Sequence, residues 1–128
     1  MGYRSEVVAL FYTHEQSYGS FKLFFDENFP MEAFKDYGWG EIKEFGRGYE
    51  PTKGFKIECN DVKWYSGTPF VDEFYNFLLK FKELAFGVPM PWHYEFIRIG
   101  EDRDDIEQHR TEDGEHLLSF NVSIYSEV

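Results

Sequence analysis

The stretch "TPFVDEFYNFLLKFKELAFGVP", residues 68–89, constrains the fold most, because it offers one apolar face that must be covered. Thr68 supplies a capping hydroxyl, and Pro69 takes the first helical position, where its missing amide hydrogen is no loss. Phe70, Phe74, Phe77, Leu78, Phe81, Leu84 and Ala85 then recur at helical spacing as one stripe. Gly87 sits where a left-handed cap is wanted, and Pro89 blocks continuation. A stripe of this size needs a broad apolar surface opposite it.

The rest of the chain offers that surface as strands. Residues 3–12, "YRSEVVALFY", place Tyr3, Ser5, Val7, Ala9 and Phe11 on one face and Arg4, Glu6, Val8, Leu10 and Tyr12 on the other. The second half is apolar on both faces, which predicts a central strand. "FKIECNDVKWY" alternates Phe55, Ile57 and Cys59 against Lys56 and Glu58, with a bend or bulge expected at Asn60-Asp61. "WHYEFIRIG" sets His93, Glu95, Ile97 and Ile99 against Trp92, Tyr94, Phe96 and Arg98. "HLLSFNVSIYSEV" reads as a closing strand with Leu118, Phe120, Val122 and Ile124 toward the core.

A first helix is expected within residues 13–30, where Phe21, Phe24, Phe25 and Phe29 fall at helical spacing and Gly19 weakens the opening turns. Residues 37–54 hold five glycines and a proline, which suits a hairpin or an ordered loop. The polar run 101–115 reads as a connection, with a short helical turn around Asp104 to His109. The order strand, helix, strand, helix, strand, strand predicts an α+β fold in two layers. Its mainly antiparallel sheet of four to five strands carries two helices on one face. One domain spans 1–128, and Phe74, Phe77, Leu78 and Phe81 are expected against Val7, Ile57 and Ile97.

Twenty-four acids against 13 bases give a net charge of −11, which repels nucleic-acid phosphates and anionic lipids. The longest apolar runs, such as "VVALFY", fall far below the roughly 20 residues that cross a bilayer. The opening "MGYRSEVV" lacks the layout of a secretory leader, Glu6 departs from the myristoylation pattern, and Cys59 is the only cysteine. A cytoplasmic protein is expected.

No pattern of residues fixes a reaction or a cofactor. His14, His93, His109 and His116 form no zinc-type pair, and Cys59 on an apolar face reads as an inert core thiol. Gly38 and Gly40 are followed by Lys43 where a phosphate-cradling loop wants glycine, although Arg47 between Gly46 and Gly48 suits an anion. Two groups remain as site candidates. Arg4, Lys63, Trp64, Tyr65 and Arg98 are basic and aromatic, suited to a small anionic ligand such as a nucleotide or cyclic nucleotide, although with so many carboxylates available a structural pair with Glu or Asp is the commoner outcome for Arg98. Glu101, Asp102, Asp104, Asp105 and Glu107 form an acidic surface for a partner protein with a basic face. The spacing of Asp102, Asp104 and Asp105 is poor for calcium, so no metal is expected, and a metal-dependent hydrolase ranks third.

"GYRSEV", "DVKWYSG" and "YEFIRIGEDRDDIE" resemble segments of small acidic proteins of tailed bacteriophages whose function is unassigned. The resemblance covers about half of the chain and implies a phage-encoded accessory protein made in a bacterial cytoplasm. The leading expectation is a non-enzymatic binding protein that modulates or inhibits a host process, such as anti-phage defence, through a protein partner. The alternative is a binder of a small anionic ligand.

Overall fold

The strand β1, Ser5–His14, is buried from Val7 to Thr13, which only a strand covered on both faces can be. It forms the middle of a five-stranded antiparallel sheet in a computed structural model that describes residues 3–46, 52–85, 92–102, 104–111, 114–120 and 123–128. Beside it lie β3, Thr52–Val62, and β4, His93–Gly100; the edges are β2, Gly40–Gly46, and β5, Ile106–Arg110. The helices are α1, Tyr18–Asn28, α2, Met31–Tyr37, and α3, Pro69–Ala85. Two short strands, β6, Leu118–Phe120, and β7, Ile124–Ser126, pair with each other as a separate sheet. Arg47, Gly48, Gly87, Pro89 and Val122 lie outside the described residues.

Alternation along the strands sorts the core into two sides. Val7, Ala9 and Phe11 share one face with Phe55, Ile57, Cys59, Tyr94 and Phe96, and the aromatic rings of all three helices cover it. Phe11 opposes Phe55 on one neighbour and Tyr94 on the other, so the rings form a row beneath α3. Each ring removed from water contributes roughly 1.5–3 kcal/mol. Val8, Leu10, Tyr12 and Ile97 point to the other face, where Leu117 and Leu118 are packed on them.

The α+β class and the helices on one face stand as read from the sequence, with five differences. Among the described residues the α-helices number three, because the helical run ends at Asn28 and resumes as α2, whose seven residues are too few to show a period. Ile97 lies on the face away from α3, and Phe96 occupies the position expected of it, since neighbouring strand residues point to opposite sides. Residues 106–110, expected as a helical turn or loop, form β5: backbone bonding to the free edge of β4 outweighs the local polarity. The closing segment is a hairpin across the second face rather than one strand of the main sheet, adding a partial third layer. Leu84, assigned to the stripe, is 43% exposed.

The bend expected at Asn60-Asp61 is present. Ser5 pairs with Val62 and Val7 with Cys59, which leaves one extra residue on β3, and Asp61 takes a positive φ of 53°. Gly54 permits the close crossing of β3 and β1, since a Cβ there would lie 1.9 Å from the Phe11 carbonyl oxygen.

On the second face Glu95 is fully buried. Its carboxylate accepts from the Tyr12 hydroxyl at 2.5 Å and from the Leu117 and Leu118 backbone amides at 3.0 Å each. Tyr12 in turn accepts from the Glu115 amide at 2.8 Å, and Arg110 donates to the Leu118 carbonyl at 3.2 Å. The hairpin is therefore fastened by main-chain donors on a buried carboxyl group.

Candidate functional site

Arg98 follows Phe96 on the helix-facing side of β4, but it lies beyond the aromatic core, so its guanidinium comes out beside the first turns of α3. The bulge in β3 leads into the connection 63–68, which brings Trp64 and Tyr65 to the same place. The α3 helix adds Val71, Asp72 and Tyr75, the β4–β5 turn adds Asp105, and β5 adds Glu107. Together with Tyr3 they enclose a cleft of about 390 Å³.

The polar groups of the cleft hold one another in fixed positions. Arg98 grips Asp105 with both terminal nitrogens, Nη2 to Oδ1 at 2.7 Å and Nη1 to Oδ2 at 3.1 Å, and its Nε donates to Glu107 at 3.1 Å. Tyr3 donates to Asp105 at 2.7 Å. Tyr75 donates to Glu107 at 2.9 Å and accepts from Trp64 Nε1 at 3.0 Å. His109, stacked on Phe96, meets Glu107 at 2.8 Å.

These contacts set the protonation states. Hydrogen bonds from Arg98 and then Tyr3 lower the Asp105 carboxyl to about 2. For Glu107, burial pushes upward, but donors on His109, Tyr75 and Arg98 outweigh it and the net direction is down. Burial raises the Tyr75 phenol, opposed by the Trp64 hydrogen bond and reinforced by the hydrogen bond to Glu107, and the hydrogen bond to Asp105 raises the Arg98 guanidinium. By formal side-chain charge the lining carries three acids, Asp72, Asp105 and Glu107, against one guanidinium, a formal charge of −2.

Of the basic and aromatic group, Trp64, Tyr65 and Arg98 meet in the cleft, whereas Arg4 and Lys63 do not line it. Arg4 donates to the Asp61 carbonyl at 3.3 Å, and the exposed Lys63 offers its carbonyl to the Tyr37 hydroxyl at 2.7 Å. The acidic segment divides in the same way. Asp105 and Glu107 turn inward to Arg98, while Glu101, Asp102 and Asp104 stay exposed on the turn. Glu101 accepts from the Arg4 amide at 2.8 Å, and the Asp105 amide closes the turn on the Asp102 carbonyl at 3.0 Å. Tyr3 and Tyr75 are members that sequence reasoning did not single out. The available signal for Tyr75 was an aromatic hydroxyl beside the apolar stripe of α3.

Burial, then Glu58, pushes the Cys59 thiol up to about 12, so it stays protonated. Among the described residues no three His, Cys, Asp or Glu side chains gather for a metal, and no helix is long and apolar enough to cross a membrane. No known protein family, curated protein or solved structure matches the chain.

Arg98→Met should remove about 1.5–3 kcal/mol of stability, toward the lower end because Asp105 is 37% exposed and solvent screens its pair. The Asp105 contribution is present above its ordinary pKa of 3.8 and is lost as pH falls toward about 2. Chemical denaturation at several pH values should therefore show a shallower acid dependence in the variant. An unchanged slope would mean that the pair does not form in solution.

Proposed function

We propose that this chain is a non-catalytic binding protein that docks on a protein partner through the cleft and the acidic turn beside it. The observation that supports this reading most is that the cleft's guanidinium is already held by two carboxylates. An incoming anion would have to displace Asp105 and Glu107 from Arg98 and enter a region of net negative charge. A lysine or arginine of a basic partner instead meets excess carboxylate and the faces of Tyr3, Trp64, Tyr65 and Tyr75. Exposed Glu101, Asp102 and Asp104, with the net charge of −11, steer such a partner toward this end of the molecule. Combined with the resemblance to phage proteins, the reading becomes a phage-encoded protein that modulates or inhibits a host process, such as anti-phage defence, by covering a host protein's surface in the bacterial cytoplasm.

The test is capture from a bacterial lysate by the wild-type chain and by a variant with Glu101→Gln, Asp102→Asn and Asp104→Asn. A specific partner should be retained by the wild type, elute as salt rises, and bind the variant about tenfold more weakly, from three exposed contacts of roughly 0.5 kcal/mol each. Equal capture by both would overturn the assignment. Release of a small anion that Arg98→Met no longer holds would replace it with the ligand-binding alternative.

A further inference from the structure

The cleft takes Glu107 from β5, at one edge of the main sheet, and β2 forms the opposite edge. Its pairing with β3 runs without a register shift from Gly40–Cys59 to Gly46–Lys53, and no proline interrupts it. Among the described residues no strand lies on its outer side. Alternation sends Ile42 to the helix-covered face and Glu41, Lys43 and Phe45 to the other. The edge is therefore a straight, seven-residue row of backbone groups open to a further strand.

The charges along this edge are placed against the interest of the single chain. Across the β2–β3 ladder Glu41 stands opposite Glu58 and Lys43 opposite Lys56, and the four side chains lie together on one face. Like charges directly opposite each other destabilise a strand pair. Opposite charges meet along each strand instead, Lys43 with Glu41 at 3.6 Å and Lys56 with Glu58 at 3.3 Å. Charge on an edge ordinarily wards off a foreign strand. Here the sign alternates, so the row Glu41, Ile42, Lys43 is complementary to an inverted copy of itself.

We infer that β2 pairs antiparallel with β2 of a second copy of this chain, about a two-fold axis at Ile42. In that register Glu41 faces the second copy's Lys43, and Lys43 faces its Glu41. Each like-charged pair of one chain, Glu41 with Glu58 or Lys43 with Lys56, then meets a pair of the opposite sign. Moving the axis by one residue sets Glu41 against Glu41 or Lys43 against Lys43, so charge selects the register as well as the partner. The same register brings Trp39, 66% exposed just before the strand, opposite Phe45 of the other copy, where a large apolar surface would leave water. The two sheets join into one with the helices of both copies on the same face. Their clefts lie at its far ends, so the inference holds whatever the cleft binds and would make that binding bivalent.

Sedimentation equilibrium of the intact chain, from micromolar concentrations to about 1 mM, should show a monomer–dimer equilibrium that shifts toward monomer as salt rises. Glu41→Lys and Lys43→Glu, each alone, turn two attractive contacts of the dimer into two repulsive ones and should weaken it about thirtyfold. Neither change threatens the fold, since each sets an opposite charge across from Glu58 or Lys56. An equimolar mixture of the two single variants should dimerise again, because one chain then carries lysine at both positions and the other glutamate. Glu83→Lys, at an exposed position of α3, should leave the equilibrium unchanged. Hydrogen exchange should show protection of the amides of residues 40–46 that grows with concentration. A chain that stays monomeric throughout, a dimer indifferent to both single changes, or a mixture that associates no better than its components would each overturn the inference. Concentration-dependent protection along β5 instead of β2 would overturn it as well, placing the contact at the other edge.

Discussion

Glu95→Ala should cost about 3–5 kcal/mol and release the C-terminal hairpin before the main sheet. The carboxylate has no exposed surface and is the acceptor for Tyr12 and for two consecutive backbone amides, at Leu117 and Leu118. Removing it strands those donors where water cannot replace it, and each buried unsatisfied donor costs about 1–3 kcal/mol. Arg110, whose Nη1 lies 3.7 Å from Glu95, would also lose its counterion. Glu95→Gln preserves the shape and one acceptor oxygen but turns amide hydrogens toward one of the two backbone donors, so it should recover only part of the loss. Native-state hydrogen exchange gives the order of events: protection at Leu117 and Leu118 should fall further than protection at Val8 and Leu10 on β1. A loss below 1 kcal/mol, or equal loss of protection at all four amides, would show that the hairpin is held by its leucines alone.

That latch shows where sequence reading stops. A glutamate alternating with Ile97 was visible in "WHYEFIRIG", but its acceptors' partners lie 22 and 23 residues away, on a hairpin that the alternation of Leu118, Phe120 and Ile124 disguised as one strand. What was legible had a period long enough to exclude alternatives. The α3 stripe and the two-faced apolarity of β1 each specify an environment, and the environments fit each other. The elements that were missed are short or polar: α2 has seven residues, and β5, "IEQHR", owes its form to the unpaired edge of β4. The cleft was legible in its parts but not in its connections. Arg98 beside aromatics carried both an anion-binding and an ion-pair reading, with the pair the commoner outcome, but the sequence did not say which carboxylates would hold it: Glu107 comes opposite it across the β4–β5 ladder and Asp105 from the turn. The same turn that places Asp105 on Arg98 leaves Asp104 in solvent, so one acidic segment supplies both a structural pair and an exposed face.

Phe11→Ala should be the other large loss, about 3–5 kcal/mol. The ring has no exposed surface and sits among Phe25, Phe74, Phe77, Phe81 and Tyr94, with centroid separations from 5.3 to 6.3 Å. These neighbours come from α1, α3 and β4, so they cannot close together over the void without moving whole elements, and collapse is what would reduce the cost. Tilted and edge-on pairs of this kind add about 0.5–1.5 kcal/mol beyond the area buried, which places the loss toward the upper end of the range. Phe77→Ala should fall in the same range, since it meets Phe11 at 5.3 Å and also packs on Phe24 and Phe29. Leu79, two positions along α3 and 64% exposed, supplies the contrast: Leu79→Ala should stay within about 0.5 kcal/mol of wild type. Chemical denaturation of the three variants therefore reads the rotation of α3 on the sheet. If Leu79→Ala proves as costly as Phe77→Ala, the helix presents a different face to β1 and the ring contacts at Phe11 are wrong; if Phe11→Ala costs less than 1 kcal/mol, the helices do not close over the centre of the sheet at all.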